Sequence, residues 1–182
     1  MLSKKGLSVN QQSTDSIDAF VAAARQFQTW ITTSELSSLH NMREALIQVT
    51  QLYLAALHLP PPWNDELPEE NPPDLVSADE VNEIFARALQ LPLTNYSEIF
   101  DPIPIPAEEP VVGNLADDLS SVFRHVAEGL RLFDSGRKLE AVWEWGFSLQ
   151  SHWGEHATSA IRAMHCYLAQ NDQDLLTASD SQ

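Results

Sequence analysis

The side chains best suited to chemistry crowd into one stretch, Ala141-Val-Trp-Glu-Trp-Gly-Phe-Ser-Leu-Gln-Ser-His-Trp-Gly-Glu-His156, which holds three of the five tryptophans and two of the six histidines. On a helix His152 and His156 stand one turn apart on the same side. That spacing suits two nitrogen ligands of one metal ion. The same two imidazoles could serve as a proton donor and acceptor near neutral pH. Asp118 is the carboxylate that would complete the metal set His152, His156 and Asp118. A wider polar-aromatic group consists of Asp117, Asp118, His125, Trp143, Glu144, Trp145, His152, Trp153 and His156. The competing reading makes both histidines half-buried hydrogen-bond donors along a helix seam, and the tryptophans core. His152-Trp-Gly-Glu155-His156 also spells the H-x-x-E-H pattern of inverted zinc peptidases. That match is set aside, because no Glu follows Glu155 as a further ligand and the chain is far too short for their fold.

These groups must be held by helices. At 100° per residue, Val142, Leu149, Trp153, Ala160 and Met164 centre on one face, with Gly146 in its middle as a place of close approach. Trp145, His152, His156 and Ala163 fall along one edge of that face, and Glu144, Glu155 and Arg162 lie outward. The region from Lys138 to about Ala169 reads as one long helix, or as two with a kink near Gly154. Upstream, Asn114 caps a helix carrying Leu115, Leu119, Val122, Phe123, Val126, Leu130 and Phe133, which Gly136 ends. Asp117 sits in its first turn, where an acidic group favours the helix dipole. Asp118 flanks the apolar stripe on the side of His125. If this helix packs antiparallel to the next, both could face the His152 edge.

Three further helices are expected. The first starts at a cap at Asp15 or Ser16, carries Ile17, Phe20, Val21, Ala24, Phe27, Trp30 and Ile31, and breaks at Thr32-Thr33-Ser34. The second runs from about Glu35 to His58 and stops at Pro60-Pro61-Pro62. The third opens at the capping box Ser77-Ala-Asp-Glu80 and ends by Pro92. Residues 60–76 form an acidic, proline-rich linker. Leu93–Gly113 is irregular, wraps the core through Tyr96, Ile99, Phe100 and Ile103, and contains a short extended piece at Val111-Val112. Residues 1–14 and 171–182 read as disordered tails around a single helical domain, 15–170. The predicted fold is all-α: a helical bundle of about five helices.

Composition narrows the function. The 182 residues hold 26 Asp and Glu against 10 Lys and Arg, a formal charge of −16. Such a surface repels phosphate backbones and anionic lipid, so neither nucleic acid nor membrane is expected as a partner. A basic partner protein would suit it. One cysteine, Cys166, excludes an internal disulfide or a Cys-rich zinc site; it reads as buried filler beside the last apolar stripe. His40, His58 and His165 read as structural or surface residues. No signal-peptide core or membrane-length apolar run is visible, and a soluble, cytoplasmic protein is expected.

Several blocks occur together: Tyr96-Ser-Glu-Ile-Phe-Asp101-Pro102, Pro110-Val-Val-Gly-Asn-Leu-Ala-Asp-Asp-Leu119, Glu128-Gly-Leu130, Glu140-Ala-Val-Trp-Glu-Trp145, His152-Trp-Gly-x-His156 and the stretch from Ala160 to His165. Through them the chain resembles a bacterial family known as domain of unknown function 5063, from about Phe20 to Leu168. The resemblance implies a stand-alone helical domain and brings no activity, substrate or catalytic residue with it. The chain departs from the family style at Gly146, where a larger, often basic residue is expected, and in its expanded acidic stretch at 60–76.

No phosphate-binding loop or nucleophile elbow is present. The leading expectation is therefore a non-enzymatic protein-interaction or regulatory module, without a cofactor. The alternative is a metal-binding or acid–base enzyme using His152 and His156 with Asp118, helped by Glu144 or His125, for which a divalent metal is the cofactor. A third reading is a structural subunit whose aromatics pack a homodimer.

Overall fold

The computed structural model describes residues 9–61, 75–106 and 109–171. Residues 1–8 of the tail expected at 1–14, residues 172–182 of the tail expected at 171–182, and residues 62–74 of the 60–76 linker lie outside these residues. The described elements are α1 (Val9–Thr33), α2 (Leu39–Ala56), α3 (Ala78–Ala88), β1 (Asn95–Glu98), β2 (Val111–Asn114), α4 (Leu115–Asp134), α5 (Lys138–Ser148), a single π turn (Leu149–Trp153) and α6 (Gly154–Asn171).

α1 begins six residues before the expected cap. No glycine or proline stands between Val9 and Thr14 to interrupt it, so the polar lead-in continues as helix. The helix ends where three hydroxyl residues were expected to break it: Thr32 and Thr33 donate to the carbonyls of Gln28 and Thr29 at 2.8 and 2.7 Å. α2 starts later than expected. Its cap is Ser38, whose Oγ accepts from the Asn41 amide at 3.2 Å, rather than a residue near Glu35. α3 opens on the expected capping box, with Ser77 and Glu80 satisfying one another's backbone donors.

Two arginines tie α3 to its neighbours. Arg87 donates to the carbonyls of Ile31 and Ser34, at 2.8 and 2.6 Å, which fills acceptors left open at the end of α1. Arg131 of α4 reaches the Leu75 carbonyl and the Glu80 carboxylate.

The irregular segment contains a feature that four-residue patterning could not reveal. β1 pairs antiparallel with β2, in the register Asn95 to Asn114 and Glu98 to Val111. Only the β2 half was expected. Asn114 then ends the sheet and caps α4, accepting from the amides of Ala116 and Asp117.

α4 is the centre of the bundle, in contact with α1, α3, α5 and α6. Its expected apolar stripe is buried from Leu115 to Leu130, with Phe133 only half-buried, and Ala116, Asp118, Ser120, Ala127, Gly129 and Leu132 are buried as well. Small and polar residues are enclosed here because helices cover α4 on nearly every side. Each fully enclosed side chain such as Leu119 contributes about 1.5–3 kcal/mol. A three-residue turn then reverses the chain, with Gly136 at φ 88°, a backbone region where other residues are strained.

The last helical region is interrupted rather than kinked. At Leu149–Trp153 the Gly154 amide bonds back to the Leu149 carbonyl, one residue further than in an α-helix. A Cβ on Gly154 would stand 2.2 Å from that oxygen, so the turn requires glycine. Among the described residues, no helix is long and apolar enough to cross a membrane.

Candidate functional site

The π turn decides where the candidate histidines point. A uniform wheel put Trp145 and His152 on one edge. The extra residue in the turn separates them: Trp145 is fully buried, whereas His152 is exposed. His152 then lies against two other imidazoles. Its ring centre is 4.9 Å from that of His125 on α4 and 4.8 Å from that of His156 on α6.

Each outer imidazole is held by a carboxylate. Nδ1 of His156 is 2.9 Å from Oδ1 of Asp118, and Nδ1 of His125 is 3.3 Å from Oε1 of Glu144. Glu128 adds a second carboxylate, 4.0 Å from the His125 nitrogen. Glu144, expected on the outward face, is thus turned inward with only 13% of its side chain exposed. Asp118 is buried, and its other oxygen accepts from the Tyr96 hydroxyl at 2.6 Å. Tyr96 was read only as an apolar anchor. It reaches the site because β1 lies across the start of α4, with Gly113 leaving room: a Cβ there would sit 2.6 Å from the Tyr96 ring.

The electrostatics follow from this arrangement. Burial pushes the Asp118 carboxyl up, while the hydrogen bonds from His156 and Tyr96 pull it back. The Asp118 hydrogen bond holds His156 above the ordinary imidazole value of 6.5, against the cost of its partial burial. His152 moves the other way: although exposed, its ring is partly desolvated by its neighbours, which lowers it, and repulsion from His156, His125 and Arg124 adds to that. Burial, then the carboxylate of Asp118, holds the Tyr96 phenol well above its usual range.

The three tryptophans do not join the site. Trp145 packs on Phe20, with ring centres 4.7 Å apart, and donates to the Val126 carbonyl at 3.2 Å. Trp153 is fully buried and donates to the Trp145 carbonyl at 3.3 Å. Trp143 stacks on Phe147 at 4.8 Å, with planes 7° apart. Asp117 remains exposed but can offer an oxygen within 4.8 Å of the Asp118 and His156 ligand atoms; His125, Glu128 and Glu144 form a second group of the same kind. No ion is present. A carboxylate on Nδ1 leaves Nε2 of His125 and of His156 as the remaining ring nitrogen for a ligand, which is how carboxylates commonly support metal-binding histidines. Asp118 is therefore placed to orient His156 as well as to ligate. His40, His58 and His165 are exposed.

Two cavities lie on the other side of α6. One, of about 780 Å³, opens between the end of α2, the segment after β1 and the π turn, with Gly146 and Leu149 on its wall. The other, of about 410 Å³, is lined by Tyr96, Tyr167 and Cys166 among others. Cys166 is exposed, contrary to its reading as buried filler, because it stands two residues, about 200° of helix, from the buried Met164 and Leu168. Neither cavity was legible in the sequence, since both are bounded by residues far apart along it.

No curated protein matches this sequence. Among solved structures, the crystal structure of protein BF1032 from Bacteroides fragilis is similar, with a TM-score of 0.67 and 17% identity over 82% of this chain and 90% of that one. At that identity the likeness is one of fold. The family described as Domain of unknown function (DUF5063) matches residues 11–170, nearly the whole chain. With that match, and with the blocks around Asp118, Trp145 and His152 in the places just described, the chain belongs to this family.

Proposed function

We propose that the protein works through a divalent transition-metal ion bound by His156 and His152 beside Asp118. The observation that carries this reading is that His156, Asp118 and Asp117 can each bring one ligand atom within 4.8 Å of the others, with the exposed His152 ring centre 4.8 Å from that of His156. Two imidazoles sharing a tetrahedral ion at about 2.0–2.1 Å hold their ring centres roughly 5 Å apart, close to the 4.8 Å between His152 and His156. Nitrogen ligands favour zinc, nickel or copper over magnesium or calcium. Because His152 is solvent-exposed, the ion would keep a water ligand, the arrangement suited to metal-activated hydrolysis. Calorimetric titration with zinc tests this on wild-type protein and on a His152→Ala/His156→Ala variant. Near-stoichiometric binding that the variant loses supports the reading. Absent binding, or binding the variant retains, removes it.

A second reading, a protein-interaction module for a basic partner, draws on a different surface. Ile103 and Ile105 are 82% and 97% exposed, with Phe100 and Val112 also exposed nearby in sequence and Asp101 and Glu109 flanking them. Isolated apolar side chains are common on surfaces, but a run of them rimmed by acids suits a docking site. A partner recovered by wild-type protein and by an Ile103→Ser/Ile105→Ser variant alike would count against it.

A further inference from the structure

Arg162 stands apart from the other described arginines. In a chain with 26 acidic residues, arginine normally finds a partner. Arg25 bonds Asp134, Arg87 two backbone carbonyls, Arg131 Glu80 and Arg137 Glu140. Arg124 pairs with Glu128, and Arg43 is also engaged. Arg162 makes no ion pair or hydrogen bond among the described residues.

Its position is as unusual as its freedom. Arg162 and Ser159, one turn apart on α6, line both the 780 Å³ and the 410 Å³ cavities. Glu98 borders both as well, but its Oε1 is turned back to the Ile99 amide at 3.1 Å, and it makes no ion pair with Arg162. The walls of the larger cavity are mostly apolar, with Tyr53, Leu57, Ile99 and Phe100 among them, and Glu98, Gln150, Glu155 and Thr158 complete its polar part beside Arg162 and Ser159. Its volume is in the range that holds a drug-sized ligand.

We propose that this cleft binds a small amphiphilic carboxylate, its apolar body against Tyr53, Leu57 and Phe100 and its head group on Arg162 and Ser159. A guanidinium offers a carboxylate two parallel donors, and the bond is stronger where neighbouring apolar walls exclude water. A neutral ligand of the same shape would gain the walls but not the arginine. The site is separate from the histidine cluster, and its test does not depend on a metal.

The probe is sodium decanoate, titrated calorimetrically into the full chain beside decan-1-ol. The expected result is saturable, near 1:1 binding of decanoate. Arg162→Gln should weaken it about tenfold or more, with decanol unchanged. Arg162 is exposed and makes no bond, so this variant should melt as wild type does and its result is interpretable. Phe100→Ala should weaken both probes, and His152→Ala/His156→Ala neither. Equal binding of decanoate by wild type and Arg162→Gln overturns the proposal, as does equal affinity for decanoate and decanol, or no saturable binding.

Discussion

At the residue scale, the opposite displacements of two adjacent imidazoles are the most direct check on the site. In metal-free protein, histidine titration followed by NMR should place His156 above 6.5 and His152 below it. The stability consequences have opposite signs. His156 binds its proton more tightly folded than unfolded. Its contribution is full below the unfolded value and fades as pH rises through the folded one. His152 is harder to protonate when folded, so its cost appears as pH falls through 6.5. In urea melts across this range, His156→Gln should remove the loss on the alkaline side, and His152→Gln the loss on the acid side. Tyr96→Phe should cost about 1–3 kcal/mol, because it leaves one oxygen of a buried carboxylate without its donor. An unchanged urea midpoint would show that water takes the place of the hydroxyl. Of this constellation, His152, His156, Asp118 and His125 were legible from helical spacing, whereas that spacing placed Glu144 outward. Tyr96 was not, since it lies 22 residues from Asp118 in a segment without periodicity.

At the scale of elements, two contacts hold the site's helices in place. α5 approaches α4 closely where Gly129 faces Trp145: a Cβ on Gly129 would come within 2.0 Å of the indole nitrogen. Gly129→Ala should therefore destabilise by about 1–3 kcal/mol or more through overpacking, and shift the Trp145 fluorescence as its bond to Val126 is disturbed. A melting temperature equal to that of wild type would show the indole can move aside. The sequence pointed to Gly146 for close approach, because a wheel cannot tell which of two facing helices gives way. α3 is anchored through Glu80, whose carboxyl the Arg131 hydrogen bonds hold down at about 2, below the ordinary 4.5. A depressed carboxyl stabilises above its unfolded value and loses that contribution as pH falls through its folded one. Acid melts between pH 4.5 and 2 should thus show a loss that Glu80→Gln removes.

At the scale of the molecule, the charge of −16 is the dominant long-range term. Like charges repel across a compact surface, and salt screens them over about 10 Å at 0.1 M. Raising sodium chloride from about 0.01 M to about 0.3 M should raise the melting temperature by screening that repulsion. A melting temperature that falls with salt would mean that pairs such as Arg25–Asp134 and Arg137–Glu140 outweigh the net repulsion.

What the sequence by itself determined is what depends on neighbours along the chain. The helical stripes, the Ser77 and Asn114 caps, the glycine stop at Gly136 and the shared side of His152 and His156 all follow from spacings of a few residues, where backbone geometry leaves little choice. The family blocks were legible for the same reason, being local strings. What only the tertiary structure decided are features set by packing between distant segments. β1 exists because β2 is present to pair with it. The π turn inserts one residue into a helix, and no local signal marks it apart from a glycine whose role becomes clear only beside the Leu149 carbonyl. That single residue turns Trp145 into the core and His152 out to meet His125. The unpaired Arg162 beside two cavities is likewise a fact of assembly, since whether a charge has a partner depends on which chain segments fold against it.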